Sequence, residues 1–314
     1  RTLCMRRTMF VLPVGLVPVV QAACTDALVP VERHRTLLML EQSGIPDPGS
    51  HLRRLERATV AAIEERGEAT GIELSKAVPG LDQQLAVGQG KKWEGTIGVS
   101  TRVLFLLSTQ QRIVRGRPKG LWTSSHYRWS PMSSWSPEGV VTPTADAARV
   151  DLARRWLRAF GPATVADLKW WTGLTLSQVK KALGVIDVEE VDLDGVAGLV
   201  LADDVAPTRR PGPWVALLPS LDPTTMGWKE RSWYLGDHAG ALFDRNGNAG
   251  PTVWSNGRIV GGWAQRRSGE VVFRLLEDVG RAVNDAVDGS AAALADWLGT
   301  VRVTPASPPH SSES

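Results

Sequence analysis

Apolar positions recur at helical spacing through the first third of the chain. In "SHLRRLERATVAAIEERG" (50–67), Leu52, Leu55, Val60 and Ile63 fall on one stripe, and Gly67 ends it. In "TGIELSKAVPG" (70–80), Thr70 and Glu73 fit a capping box, and Pro79 with Gly80 stops the helix. A loop containing glycine and lysine follows, and Ser100 opens a third helix, "TRVLFLLSTQ". The pattern then changes period. "RIVRGRPKGLWTSSHYRW" (112–129) reads as two strands around a Pro/Gly turn. Three helices followed by a β-hairpin is the winged-helix order. Upstream, Met9 to Leu12 predicts a short strand, and residues 14–44 predict helix broken at Pro18 and Pro30.

The order repeats after a linker rich in Ser, Pro and Thr, residues 131–146. "ADAARVDLARRWLRAFG" is a helix with Val150, Leu152, Trp156 and Leu157 inward. "TVADLKWWTG" has Thr164 as N-cap and Gly173 at its stop, and "TLSQVKKALG" carries a capping box from Thr175 and Gln178. "VIDVEEVDLDGVAGLVL" gives two strands around Asp194-Gly195, a type I′ hairpin signal. Beyond Pro211 the pattern is β. One strand lies in "PWVALLPSLD", and further strands are joined at Asn256-Gly257 and Ser268-Gly269. A last helix is expected from Glu277 to Leu298, with Val279, Val283, Val287, Leu294 and Leu298 inward. The fold class is therefore α+β, with tandem winged-helix (helix-turn-helix) domains before a β-rich C-terminal domain. The expected domains are 47–130, a winged helix with a basic wing; 147–205, a second winged helix; 206–300, the β-rich part with its closing helix; and 301–314, a disordered tail.

Composition alters this picture mainly through the placement of charge. The net charge is only +3 over 314 residues. From Gly95 to Pro137, however, there is no acid, while Arg102, Arg112, Arg115, Arg117, Lys119 and Arg128 all lie there. A basic face on the first wing suggests a polyanionic partner such as nucleic acid, against the plainer reading of a solvated charged face. The second unit is mixed. Its third helix offers Gln178, Lys180 and Lys181, but its wing carries Asp187, Glu189, Glu190, Asp192 and Asp194, which would repel phosphate. It stands open as either a packing module or a DNA reader. Trp170 and Trp171 are adjacent on one helix and cannot point the same way, so one is expected in the core and the other against a neighbouring unit. Trp122, Trp129 and Trp135 lie in or beside the basic wing and could stack on a base, although packing is the commoner fate of large aromatics.

Several chemistries lack their motifs. There is no phosphate-binding Gly loop, no paired Cys motif and no His-x-x-x-His, so neither a cofactor nor a metal is expected. The two cysteines, Cys4 and Cys24, make no disulfide framework. Asp222, at a strand end in "LLPSLDP", could do acid–base work, but an ion pair with Arg231 is the preferred expectation. The first 24 residues have the outline of a signal peptide, interrupted by Pro13 and Pro18, and no stretch reads as long and apolar enough to span a bilayer.

Several segments together resemble one family. "RRWLRAFGPATVADLKWWTGLT", "LLPSLDPTTMGWKER" and "FDRNGNAGPTVWSNGRIVGGWAQRRSGEV" are similar to winged-helix DNA-binding proteins of the AlkZ/YcaQ-like group, and "RTLCMRRTMFVLP" resembles the stretch just after the first domain of that group. The resemblance implies that residues 1–46 are the remnant of an N-terminal winged-helix domain, and that the partner is double-stranded DNA, alkylated or crosslinked. It also implies a cytoplasmic, nucleoid-associated monomer that excises bases with water as nucleophile and without a metal. The group's catalytic motif is Gln-x-Gln or Gln-x-Asp. This sequence has Gln83-Gln84 and Gln110-Gln111 but no such motif, so the catalytic residues are expected upstream of Arg1, with Asp222 the weak candidate within the chain. Such an enzyme also needs a probe near the lesion, and the hairpin tip Asn256 to Arg258, with Arg266 and Arg267 nearby, is the expected one. A transcriptional regulator with tandem winged helices is the main alternative, a nonbinding interaction module the other. A regulator would usually dimerise on spaced half-sites, and no heptad seam is visible.

Overall fold

The computed structural model describes residues 2–88, 90–92, 94–121, 123, 124, 126–137 and 141–303. Trp122, the middle of the expected linker and the tail beyond 303 lie outside the described residues. The chain forms two compact units. The first comprises residues 1–155 with 172–186, and the second 156–171 with 187 onward.

The first unit opens with an antiparallel pair, Thr2–Leu3 against Met9–Phe10. The turn between them holds Arg6 and Arg7 at φ 52° and 59°, a left-handed conformation that costs a non-glycine residue about 1–2 kcal/mol. A single helical run then extends over Val14–Gln42. The expected breaks at Pro18 and Pro30 do not occur. Pro18 sits in the first turn, where an N–H has no partner to lose. Pro30 lies inside the Asp26–Gln42 helix, directly downstream of a wide turn at Gln21–Thr25 that loosens the backbone where the ring intrudes. The run is consequently long and apolar enough, by length and composition, to cross a membrane, which corrects the expectation that no stretch would be. Its buried polar side chains find partners inside the unit. Gln21 donates to the Thr109 carbonyl at 2.9 Å, and Thr25 to the Leu3 carbonyl at 2.6 Å.

Three helices follow, Pro48–Arg66, Gly71–Ala77 and Val99–Thr109. The Thr70–Glu73 capping box forms as expected. Leu40, Leu52, Leu55, Ile63, Leu74 and Leu106 fill the core between them, each contributing roughly 1.5–3 kcal/mol by leaving water. The expected glycine–lysine loop instead contains a hairpin, Gln84–Val87 against Gly95–Gly98. The hairpin expected as the basic wing, called the wing below, pairs Ile113–Pro118 with Tyr127–Pro131, and Ala69–Thr70 adds a third strand to it. In the expected linker, Met132–Trp135 is a short helix. The Leu176–Leu183 helix also belongs to this unit and starts at the expected Thr175–Gln178 capping box.

In the second unit, Val188–Leu193 pairs with Val196–Leu201 through Asp194 and Gly195 at φ 52° and 87°, the expected turn. A four-stranded antiparallel sheet runs in the order Val215–Leu218, Thr252–Ser255, Arg258–Gln265, Val271–Leu275. One face packs on the Arg281–Leu298 helix through Val253, Trp263, Val287 and Leu298. Trp254 and Ile259 pack instead with Tyr234 and Leu242. The last helix starts later than expected because Gly280 turns left-handed at φ 74° before it. Glu277 lies outside it and pairs with His238 at 2.9 Å and Arg258 at 3.2 Å.

One buried carboxylate organises the first unit. Glu32 is 1% exposed and accepts from Arg7 at 2.6 Å, Arg35 at 2.8 Å and Arg102 at 3.2 Å. Burial alone would raise its pKa. The Arg102 hydrogen bond and the charges of Arg7, Arg102 and Arg35 outweigh burial and hold it below the usual carboxylate range. A depressed folded-state pKa gives stability that is present above the unfolded value, about 4.3, and lost as pH falls through the folded value. Glu32→Gln is therefore expected to cost about 3 kcal/mol at pH 7, the low end for breaking a buried pair because Arg7 and Arg35 stay partly exposed. In urea denaturation the gap between wild type and variant should narrow as pH drops below about 4. A gap that is absent at pH 7, or unchanged by acid, contradicts this role.

Candidate nucleic-acid interface

The three-stranded sheet decides which wing cations work together. Arg115 is paired directly across from Trp129, and side chains alternate along a strand, so Tyr127 and Trp129 share its face. The Arg115 guanidinium accordingly lies 3.5 Å from the Tyr127 ring centroid and 6.0 Å from that of Trp129. Arg128 takes the opposite face and pairs with Glu68, at the edge of the added strand. Arg112, Arg117 and Lys119 are exposed, and none forms an ion pair among the described residues. The Glu73 carboxyl is held below its usual range by its bonds to Thr70 and then by Lys119 and Arg128.

Arg102 does not join this surface, although it belongs to the same acid-free run. It is 12% exposed and bound to Glu32 and Thr36. The Val99–Thr109 helix that carries it is mostly buried. The wing, rather than its third helix, therefore presents the first unit's positive charge. Between wing and helices runs a groove of about 810 Å³, reached by Lys76, Thr101, Phe105, Arg115 and Tyr127. Trp129 packs against the core, as expected, whereas Trp135 is 51% exposed.

The other sequence-predicted residues stand apart from the wing. The Gln178 side-chain oxygen accepts from the Thr175 N–H at 2.9 Å, closing the capping box, so only its amide nitrogen remains for a ligand. Lys181 pairs with Asp146 at 2.6 Å, and Lys180 is exposed. In the second unit, Asn256 sits in the turn at φ 50° and accepts from the Trp214 N–H at 3.0 Å. Arg258 pairs with Glu277 and Arg266 with Glu270, at 3.2 and 2.7 Å, while Arg267 is exposed.

Asp222 does not form the expected ion pair with Arg231. Its carboxylate accepts from the Thr224 N–H at 2.9 Å and caps the Pro223–Met226 turn. Arg231 lies instead over the Trp170 and Phe243 rings, 5.0 and 5.1 Å from their centroids. Its segment is fixed by the buried Asp167, which accepts from the Lys229 and Glu230 N–H groups at 2.8 and 3.2 Å. Trp171 packs on Trp156 and Phe160. Burial pushes the Cys4 and Cys24 thiols up to about 12, far from thiolate chemistry.

The sequence reading missed Glu68, Lys76, Phe105 and Tyr127 as neighbours of the wing cations. The signal for Tyr127 was the hairpin register, which places it diagonally across from Arg115.

The family profile of DNA glycosylase AlkZ-like proteins matches residues 1–297. The chain belongs to the AlkZ-like DNA glycosylase family. A curated relative, an interstrand DNA cross-link repair glycosylase of Streptomyces sahachiroi, is 28% identical over 183 residues. That match covers 55% of this chain and 49% of the relative, so the chain spans about half the length of the curated protein it matches. The solved structure of Streptomyces sahachiroi DNA glycosylase AlkZ aligns with a TM-score of 0.67 and 21% identity, covering 96% of this chain and 80% of that one. This likeness shows a shared AlkZ-like fold.

If the exposed wing cations of this AlkZ-like chain contact phosphate, Arg117→Ala with Lys119→Ala should weaken duplex DNA binding. The double change should also lower the slope of log affinity against log salt by about two, roughly one per lost contact. Fluorescence anisotropy titrations at several salt concentrations read both quantities. Unchanged affinity and slope would remove the wing from the interface.

Proposed function

We propose that this chain binds double-stranded DNA as the DNA-engaging part of a repair glycosylase acting on alkylated or crosslinked DNA. The observation that carries the proposal is the acid-free wing whose exposed Arg112, Arg117 and Lys119 have no ion-pair partner among the described residues, in a chain that belongs to the AlkZ-like family. In this reading, residues 47–130 and 147–205 are tandem winged helices. The first holds phosphate with its wing, and the acidic hairpin of the second stays off the DNA. The closing sheet and helix of 206–300 bring the Asn256–Arg258 turn to the duplex as a probe. A DNA substrate implies a cytoplasmic, nucleoid-associated place of work, and the absence of a heptad seam favours a monomer. The crosslink-repair activity named for the Streptomyces sahachiroi relative supports this reading over a transcriptional regulator.

Binding and base excision separate in this proposal. Attack of water on a glycosidic bond needs a side chain within hydrogen-bond reach that can orient the water or take its proton. No Gln-x-Gln or Gln-x-Asp lies in residues 1–314, and the Asp222 carboxylate is engaged as a cap. Guanidinium groups accept no proton, although they can stabilise negative charge. Residues 1–314 are therefore expected to bind duplex DNA containing an N7-alkylated purine without releasing that base in multiple turnovers. Robust turnover, followed over time by chromatography of released base, would place catalytic residues inside the chain, with Asp222 the first to replace.

A further inference from the structure

A second cavity of the first unit shares no residue with the wing or with the groove beneath it. It holds about 300 Å³, the lower end of the usual range for small-ligand pockets, about 300–1,000 Å³. Three segments build it: the N-terminal turn with Arg6 and Arg7, the start of the Asp26–Gln42 helix with Ala27 and Leu28, and the turn at Thr172–Leu174. Arg149 and Gln178 complete its polar lining. Glycine at 173 is what lets these segments meet. Its φ is 72°, and a Cβ there would stand 3.2 Å from the Arg6 backbone nitrogen.

Among the described residues no carboxylate lines this cavity, while three guanidinium groups do. The acids bound to them are outnumbered. Arg7 shares Glu32 with Arg35 and Arg102, and Arg149 shares Asp146 with Lys181. Asp26, beside Ala27, is turned to the Gln21 amide at 2.6 Å. The acceptors in the lining are engaged as well. The Gln178 oxygen is held in its capping box, and the Thr172 carbonyl accepts from the Cys24 thiol at 3.9 Å. Arg149 marks the ligand position. Its side chain is 16% exposed and its Nη1 donates to Asp146 at 3.0 Å, but its buried Nε has no hydrogen-bond partner among the described residues. A buried cationic N–H without an acceptor is costly.

Donors without free acceptors select an anion, and guanidinium groups match the oxygens of phosphate. Surplus charge around both acids suits a dianion better than a monocarboxylate. The size of the cavity argues against a phosphate within a DNA strand, which carries a sugar on either side and cannot enter a space this small. We propose that this cavity binds a small free phosphate: inorganic phosphate or the phosphate group of a small phosphomonoester. The inference is independent of the DNA-binding reading of the wing.

Isothermal titration calorimetry of the whole chain at low salt tests this, with inorganic phosphate, glycerol phosphate and acetate as separate titrants. Wild type should bind one equivalent of inorganic phosphate or of glycerol phosphate with a Kd below about 1 mM, and acetate at least tenfold more weakly. Arg149→Gln removes the unpartnered donor and leaves Asp146 its pair with Lys181, so Kd should rise at least tenfold. Ala27→Trp fills the cavity from an exposed helix position and should do the same, which keeps the test decisive should the first variant lose its folded circular dichroism. Absence of saturable phosphate binding, acetate binding as tightly, or phosphate binding that survives both variants overturns the proposal. A duplex bearing 5′-phosphates that binds in an Arg149-dependent way, when neither free phosphate does, would assign the cavity to a DNA end and overturn it too.

Discussion

One buried carboxylate ties the N-terminal turn of the first unit to two of its helices. Glu32 draws together Arg7 from the strained N-terminal turn, Arg35 from its own helix and Arg102 from the Val99–Thr109 helix. Burying the Glu32 carboxylate and most of Arg102 is costly unless each gains a partner, and the cluster meets that cost only while Glu32 stays ionised. The arrangement accounts for two otherwise odd features. Consecutive non-glycine residues hold left-handed backbone at Arg6 and Arg7, and Arg7 is bonded to Glu32 through both Nε, at 2.7 Å, and Nη2, at 2.6 Å. The apolar Val99–Thr109 helix carries an arginine near its start, and that arginine is turned inward to Glu32 and Thr36.

The same constraint shapes the candidate interface. With Arg102 consumed inside, the acid-free run delivers its charge through the wing alone. The wing divides that charge by strand alternation. One face carries the Arg115–Tyr127–Trp129 stack over the groove, the other the Arg128–Glu68 pair, and the end of the first strand with the residue after it carries exposed Arg117 and Lys119. A run of basic residues thus becomes three devices with different partners: a stack, a neutralised pair and free cations available to phosphate. The hairpin Val188–Leu193/Val196–Leu201 is built on a similar plan with the opposite charge, since its Glu189, Glu190 and Asp192 are acidic. Comparable backbone scaffolds need not share a ligand.

What was legible in the sequence was local. Capping boxes at Thr70 and Thr175 and the Asp194-Gly195 and Asn256-Gly257 turns each depend on residues within a few positions, and each forms as expected. What stayed hidden depends on distant partners. Pro30 reads as a breaker because its penalty is local and the wide turn that absorbs it is not encoded by any one residue. The strand at Ala69–Thr70 is too short to show a period and exists because Tyr127–Pro131 offers it an edge. The hairpin around 84–98 lacks alternation, so its sequence reads as a loop. For the candidate site, the cations were visible and their bookkeeping was not. Nothing near Arg102 or Lys181 in sequence announces Glu32 or Asp146 as the group each one binds, whereas the partner of Asp222, the Thr224 N–H, is two residues away.

The account's central claim is that DNA meets the basic wing and avoids the acidic hairpin. Hydrogen–deuterium exchange of the chain with and without a duplex, at low salt, tests this most directly. Amides exchange through local opening, and a bound duplex raises protection where it holds the backbone. The account predicts slowed exchange across 112–131, with the Val188–Leu193 and Val196–Leu201 strands unchanged. Protection confined to the acidic hairpin, or absent from the wing while binding is saturated, would contradict it.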